Sequence, residues 1–417
     1  MLNFTQLINA MILHRPLVLA VVEILENVFQ NNMYTDKAIS STIKNNRQFG
    51  GRDRRFITKA VYDFVRWKRL IEYCLNVNTK EDLDYFLLLG GLLVTQGVEL
   101  PPWKEFDSLN KEIINKRKEE GRKIRKIGES IPDWIDELGV EELGEVVWNN
   151  ELEALNKEAI VVLRANALKS NAQKLIERLA KQNIISQTLR YEIPIWDAVR
   201  KYAVEVVDRQ KLFHLKEYKD GLFEIQDASS QLIANCLNLK EGKVLIDACA
   251  GAGGKSLHAA AIMNNTGTVY ACDIHERKLI ELNNRAKRAG VTIITTALID
   301  SEFVQEKNET ADYLLLDVPC TGLGVLKRKP DTKWKLTPKR LDELLITQRN
   351  ILKNYSSMLK IGGVMVYATC SILPKENRDQ INYFLKRNDK FRLKHELAIM
   401  PSDGYDGFYA AILHKDG

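Results

Sequence analysis

The stretch Val244-Leu245-Ile246-Asp247-Ala248-Cys249-Ala250-Gly251-Ala252-Gly253-Gly254-Lys255 decides the fold. Three apolar residues and a carboxylate read as a short buried strand. Glycines at 251, 253 and 254 then break the regular pattern, and Ser256 to Met263 has the composition of a helix start. Strand, glycine turn and helix together open a parallel sheet, where ligands lie beyond the carboxyl ends of the strands. The same alternation continues downstream. Thr268 to Asp273 is a second strand ending in an acid, and Glu276 to Ala289 is a helix. Tyr313 to Asp317 and Val364 to Thr369 are further buried strands. The predicted fold class is therefore α/β, a Rossmann-like doubly wound sheet.

Glycines allow a backbone to approach a ligand closely, and the following helix offers free N–H groups. Asp273 stands where a carboxylate can hold ribose hydroxyls. Three ligands compete for this geometry. A P-loop ending at Lys255-Ser256 would need glycine at 249, where Cys249 stands, which disfavours an NTPase. A dinucleotide fingerprint would place glycines at 251, 253 and 256, but 256 is Ser256. S-adenosyl-L-methionine has no pyrophosphate to cradle and still uses a glycine turn and a ribose-binding acid. The choice needs the next motifs.

Two cysteines fall just past strand ends: Cys320 in Asp317-Val318-Pro319-Cys320-Thr321-Gly322, and Cys370 in Tyr367-Ala368-Thr369-Cys370-Ser371. Methylation of cytosine at carbon 5 gives thiols in this position a purpose. That carbon is a poor nucleophile until a thiolate adds to carbon 6 and makes the ring enamine-like. A second acid/base group must then remove the carbon-5 proton and release the thiolate. A nearby carboxylate can hydrogen-bond the exocyclic amine and ring nitrogen. Asp317 and Cys320 are the candidates for these tasks. Methylation of an amine would need no cysteine.

Outward from this core, 417 residues exceed a single hydrophobic core and imply two or three domains. Residues 1–140 read as helical, 141–235 as α+β and 236–417 as the sheet domain. Within Arg52 to Leu75, Phe56, Ala60, Phe64, Trp67 and Ile71 line one face, and Arg55, Lys59, Tyr62, Arg66 and Arg69 another. The latter is a basic stripe suited to a phosphate backbone. It belongs to the first of three basic clusters, Arg47–Arg69, Lys111–Lys126 and Lys327–Arg340, set against a net charge of only +6. Such clustering points to a polyanion as partner. The six cysteines show neither a CxxC pair nor zinc spacing, so no metal is expected. The apolar run Pro16 to Leu25 is short and broken by Glu23, and no segment reaches the ~20 apolar residues of a membrane span. A cytoplasmic, reduced protein is expected.

Together the segments resemble the Sun (Fmu, RsmB-type) family of RNA 5-methylcytosine methyltransferases. The resemblance is carried by Gln226-Asp227-Ala228-Ser229-Ser230-Gln231, Asp247 to Lys255, Asp273-Ile274-His275, Asp317-Val318-Pro319-Cys320, Pro330-Asp331-Thr332-Lys333-Trp334, Thr369 to Asn377 and Asp406-Gly407-Phe408-Tyr409. It implies a class I methyltransferase domain completed by an antiparallel pair, Leu393–Met400 and Phe408–His414, behind a NusB-like helical RNA-binding domain. It also implies that Cys249, Ala250, Gly251, Ala252, Gly253, Gly254 and Lys255 contact S-adenosyl-L-methionine, Asp273 its ribose and Asp300 its adenine. Asp317 would lie between cofactor and base, Cys370 would be the nucleophile, and Cys320 would assist proton removal and release. The expected partner is RNA, small-subunit ribosomal RNA in the first place, for a monomeric enzyme. The alternatives are the same chemistry on tRNA, or a non-catalytic rRNA-binding assembly factor. One departure is visible: where the family has Ala-Pro-Gly-Gly-Lys, this chain has Gly251-Ala252-Gly253-Gly254-Lys255, and losing the proline frees the backbone there.

Overall fold

The computed structural model describes residues 13–77, 79, 83–207 and 212–417. It forms two compact units, one of residues up to Asn156 together with Arg328–Leu336, the other of Lys157–Lys327 and Thr337–Gly417. Residues 1–12, where a targeting leader would begin, lie outside the described residues.

The first unit is built from helices. Gly51–Cys74 buries Phe56, Ala60, Phe64 and Ile71, as their spacing predicts, with Trp67 half-buried. Tyr85–Thr95 is buried nearly all round, and Leu88, Leu89, Leu92 and Leu93 each contribute about 1.5–3 kcal/mol by leaving water. The rings of Phe29, Phe64 and Tyr85 meet between the helices with centroids 6.1, 6.0 and 6.2 Å apart. The sequence reading begins the α+β region at residue 141, but the helical unit continues through Glu145–Leu155. That helix folds back on Asp133–Leu143 because Gly139 leaves room for Trp148. The indole is fully buried and its N–H donates to Asp136 at 2.9 Å.

Much of the expected basic surface is internal. Arg66 is buried and donates to the Leu155 carbonyl at 3.2 Å, and Arg69 donates to Asp133 at 2.8 Å. Lys59 pairs with Asp63 at 3.1 Å. In the second cluster Lys118 donates to the Thr95 carbonyl at 2.7 Å and Arg125 to Asp136 at 2.9 Å, while Lys111, Lys116, Arg122 and Lys123 stay exposed. In the third, Lys333 is buried within the helical unit and donates to the Arg66 carbonyl at 2.9 Å. Its neighbours join it: the Trp334 indole donates to the Val65 carbonyl at 2.7 Å, and Asp331 accepts from the Thr35 amide at 2.9 Å. Burial drives the Lys333 amine well below the ordinary lysine range. Helical spacing cannot distinguish a solvated cation from one aimed at a neighbouring carbonyl.

The second unit holds two sheets. The smaller is antiparallel, in the order β2-β3-β1-β4, from β1 (Val161–Ala165), β2 (Ser186–Gln187), β3 (Ala203–Val206) and β4 (Phe223–Ile225). The larger has the order β10-β11-β9-β8-β5-β6-β7. In it β5 (Val244–Asp247), β6 (Thr268–Asp273), β7 (Ile294–Leu298), β8 (Ala311–Asp317) and β9 (Leu359–Thr369) are parallel. β11 (Phe408–Lys415) runs antiparallel between β9 and β10 (Phe391–Ile399). This is the doubly wound sheet read from the sequence pattern, with the carboxy-terminal antiparallel pair that the family resemblance implies. Alternate residues serve two cores, as strand geometry requires. Leu245, Val269, Leu315 and Val366 pack with Leu232 and Leu257 on one face. Ile246, Leu314, Leu316, Met365 and Tyr367 pack with Leu352, Ile381 and Phe384 on the other. The strand order reverses at β5, so the loop that follows it opens at the switch point.

β5 ends in a buried carboxylate. Asp247 Oδ2 accepts from the Ser256 hydroxyl at 2.6 Å, pinning the strand to the helix Gly254–Ile262. Burial pushes the Asp247 carboxyl up to about 7, and the Ser256 hydrogen bond offsets only part of that rise. The folded state therefore keeps a proton that the unfolded chain releases near pH ~4. The associated stability is present at low pH and lost as the pH rises through about 7. Asp247→Asn keeps an acceptor for Ser256 and removes the titration. The variant is expected to lose less stability than the wild type between pH 5 and pH 8, by roughly 1–3 kcal/mol; parallel thermal-unfolding profiles would contradict the assignment. In the helical unit, a Cβ on Gly139 would lie 2.3 Å from the Trp148 ring. Gly139→Ala is expected to cost about 1–3 kcal/mol in denaturant unfolding, and a neutral result would show that the hairpin repacks freely.

Candidate active site

The carboxyl ends of β8 and β9 are in register, with Asp317 opposite Ala368, so their loops leave the sheet side by side. Cys320 and Cys370 stand in those loops with sulfurs 3.2 Å apart. Close backbone packing makes this possible. The Gly324 amide donates to the Cys370 carbonyl at 2.9 Å, and the Gly407 amide donates to the Gly324 carbonyl at 2.8 Å. A Cβ on Gly324 would lie 2.4 Å from the Gly407 oxygen and 2.8 Å from the Cys370 oxygen, so only glycine fits. The hydrogen bond to Cys370, then burial, then the charges of Cys370 and Glu376 hold the Cys320 thiol well above the ordinary cysteine range.

The glycine loop lies at the end of β5. Gly251 and Gly253 adopt φ of +55° and +85°, and a Cβ on Gly253 would lie 2.4 Å from Leu282. The Gly251 amide donates to Asp273 Oδ2 at 3.0 Å, and the His275 amide to Asp273 Oδ1 at 2.9 Å. Asp273 therefore ties the first loop to the second. Lys255 reaches across to Asp317 at 2.6 Å, joining the glycine loop to the end of β8. Its ammonium also lies 5.0 Å from the Phe408 ring centroid. Ala250 is fixed through its amide, which donates to the Cys272 carbonyl at 2.8 Å. Burial, then the negative charges of Asp247, Asp317 and Asp273, raise the Cys249 thiol well above its usual value, so this cysteine is poorly suited to act as a nucleophile. Asp300 follows β7 and caps the helix Ser301–Glu306 by accepting from the Phe303 amide at 2.8 Å.

Several supporting residues escape the motif reading. Arg285 donates to the Ala252 carbonyl at 2.6 Å and to Glu224 of β4 at 2.9 Å. Arg164 of β1, fully enclosed, donates to the Gly254 carbonyl at 2.6 Å. The smaller sheet thus braces the glycine loop on both sides of Gly253. An arginine in the apolar run Val161-Val162-Leu163-Arg164 was the available signal. Glu376, within the quoted Thr369–Asn377 motif, carried no assigned task, yet it is fully buried and accepts from the Thr321 amide at 2.8 Å.

The site suits a cationic, ribose-bearing ligand. A Cβ on Gly251 would meet nothing within 4 Å, which leaves an open approach to the loop. Asp247 Oδ1 is buried without a hydrogen-bond partner. The carboxylates of Asp247, Asp273 and Asp317 all act on the same Cys249 thiol, which places three acids around one loop.

Residues 234–413 match the 16S rRNA methyltransferase RsmB/F family. A probable ribosomal RNA small subunit methyltransferase B from Synechocystis sp. is 30% identical, with 94% of this chain and 98% of that protein covered. The crystal structure of PH0851 superposes with a TM-score of 0.78 over 97% of this chain and 100% of its own, at 22% identity. A methyltransferase homolog protein from Pyrococcus horikoshii is 25% identical, with a TM-score of 0.61 over 70% of this chain and 97% of its own. The doubly wound sheet, the paired thiols and the near full-length relative agree: the chain belongs to the RsmB/F family of S-adenosyl-L-methionine-dependent RNA methyltransferases.

Proposed function

We propose that the protein methylates carbon 5 of a cytosine in 16S rRNA, with Cys370 as nucleophile and Cys320 as acid/base. The observation that carries this reading is the 3.2 Å separation of the two sulfurs. Transfer to an amine or a ribose hydroxyl would require neither thiol. The family and the relative named above supply the substrate class. The target cytosine is best read as unstacked and turned out of its helix.

S-adenosyl-L-methionine, when bound, supplies an electrophilic methyl on a sulfonium and departs as a thioether. Cys249 to Lys255 would hold it with Asp273 at its ribose and Asp300 toward its adenine, and Asp317 would lie between it and the base. Cys370 adds as thiolate to carbon 6, forming an S–C bond while the ring's π pair shifts toward carbon 5 and nitrogen 3. Asp317 accepts from the exocyclic amine, and the adjoining Lys255 ammonium offsets charge arriving on the ring. After carbon 5 has gained its methyl, Cys320 removes the carbon-5 proton. The C5–H electron pair restores the C5–C6 double bond, and the S–C pair returns to Cys370 as thiolate. Overall one proton leaves the base and passes through Cys320 to water.

The order of these events agrees with the electrostatics. The largest influence holding the proton on Cys320 is its hydrogen bond to Cys370, with the Cys370 charge also contributing. Once Cys370 is bonded to carbon, both influences end. Cys320 can then give up its proton to water and become the base that the second half requires.

Incubating the protein with methyl-labelled S-adenosyl-L-methionine and an unmodified 16S rRNA transcript should yield 5-methylcytosine; label on an amine or a ribose would refute the reading. Cys370→Ala should abolish both turnover and covalent adduct. Cys320→Ala should slow turnover by about a hundredfold or more and accumulate a denaturation-resistant RNA–protein adduct. An adduct-free Cys320→Ala enzyme would remove its assigned role.

A further inference from the structure

A single buried carboxylate organises the two cysteine loops. Glu376 is fully buried, and its Oε1 accepts from the Thr321 amide at 2.8 Å and the Gln348 side-chain amide at 3.0 Å. Oε2 accepts from the Thr321 hydroxyl at 2.5 Å. Thr321 directly follows Cys320, and its hydroxyl lies 3.3 Å from that of Ser371, which directly follows Cys370. Gln348 also donates to the carbonyl of Pro319, the residue before Cys320, at 3.0 Å. The Glu376 carbonyl accepts from the Tyr367 hydroxyl at 2.7 Å, anchoring it to β9. The backbone after Cys320 is thus bonded to Glu376 directly, and the backbone before it is linked to Glu376 through Gln348.

All three donors to this carboxylate are neutral. A buried anion is expensive to hold without a cation, and a neutral group could make a merely structural tie. We propose that Glu376 is a positioning residue for the release half of the reaction: it fixes the Cys320 sulfur against Cys370 and biases the shared proton toward Cys320. This inference rests on the assignment of Cys370 as nucleophile and Cys320 as acid/base. The titratable groups acting on the Cys320 thiol are Cys370 and Glu376, opposed by a hydrogen bond from the Gly322 backbone, and the buried Tyr367 phenol lies close enough to feel it. When Cys370 is bonded to the base, burial and the Glu376 charge still favour protonated Cys320. That charge makes Cys320 a stronger base for the carbon-5 proton.

The test separates the two halves of the cycle. Wild type, Cys320→Ala, Glu376→Gln and Thr321→Val are mixed with S-adenosyl-L-methionine and unmodified 16S rRNA transcript. Adduct formation and 5-methylcytosine release are timed separately across pH. In Glu376→Gln and Thr321→Val, adduct should form within about threefold of the wild-type rate, while release slows at least about tenfold and adduct accumulates as in Cys320→Ala. In Glu376→Gln the pH midpoint of release should also fall, because the anion that holds the proton on Cys320 is gone. Thr321→Val keeps that anion and should keep the wild-type midpoint. If Glu376→Gln does not fold, Thr321→Val carries the test through its formation-to-release ratio. Formation and release falling in proportion, both staying at wild-type rates, or an unmoved midpoint in Glu376→Gln would overturn the inference. A wild type that forms neither adduct nor 5-methylcytosine would instead remove the function on which it rests.

Discussion

The reaction centre depends on the parallel register of β8 and β9. Asp317 lies opposite Ala368, and the Val318 amide donates to the Ala368 carbonyl at 3.0 Å, so the two following loops emerge in step. A slip of one residue would turn every side chain to the opposite face. Leu314, Leu316, Met365 and Tyr367 would then exchange cores with Leu315, Val366 and Ala368. Both cores are tightly filled, so the hydrophobic alternation that stabilises the sheet also sets where the sulfurs stand. Catalytic geometry and core packing are here one constraint.

The glycine loop shows how a chain can dispense with a local restraint. Without the family's proline, the backbone around Gly251 and Ala252 is freer in isolation. The structure supplies rigidity from outside, through Arg285 at the Ala252 carbonyl and Arg164 at the Gly254 carbonyl. Glu224 holds both Arg285 and Arg288, so the brace is itself fixed to the small antiparallel sheet. The loop amides are engaged as well, that of Gly251 with Asp273 and that of Gly253 with the Ala250 carbonyl.

What the sequence reveals follows from how local each signal is. Strand ends, the glycine turn and the helix Glu276–Ala289 are contiguous patterns, and they lie in the structure where they were read. The carboxy-terminal antiparallel pair came from resemblance rather than from periodicity, and the insertion of β11 between β9 and β10 is visible only in the structure. The basic clusters misled because charge in a string carries no direction: Lys327 faces the carbonyls of Pro401, Gly404 and Tyr405, and Lys333 faces that of Arg66. Glu376, Gln348 and Arg285 were out of reach for a different reason. Their partners lie 28 to 61 residues away, and local sequence does not show which side chains those partners are. Asp300 is an intermediate case, since an acid after a strand reads equally as a ligand contact or a helix cap.

Consider finally the short segment Arg328–Leu336, which lies late in the chain yet belongs to the helical unit. Its tryptophan and buried lysine complete hydrogen bonds offered by carbonyls of Arg66 and Val65. During synthesis those carbonyls emerge some 270 residues before their partners. The helices must therefore wait, partly finished, until translation has passed the eighth strand and the first of the two thiol-bearing loops. Completion of the helical unit is in this sense a late event, and a ribosome halted before the Arg328–Leu336 segment would leave it with an unfilled seam.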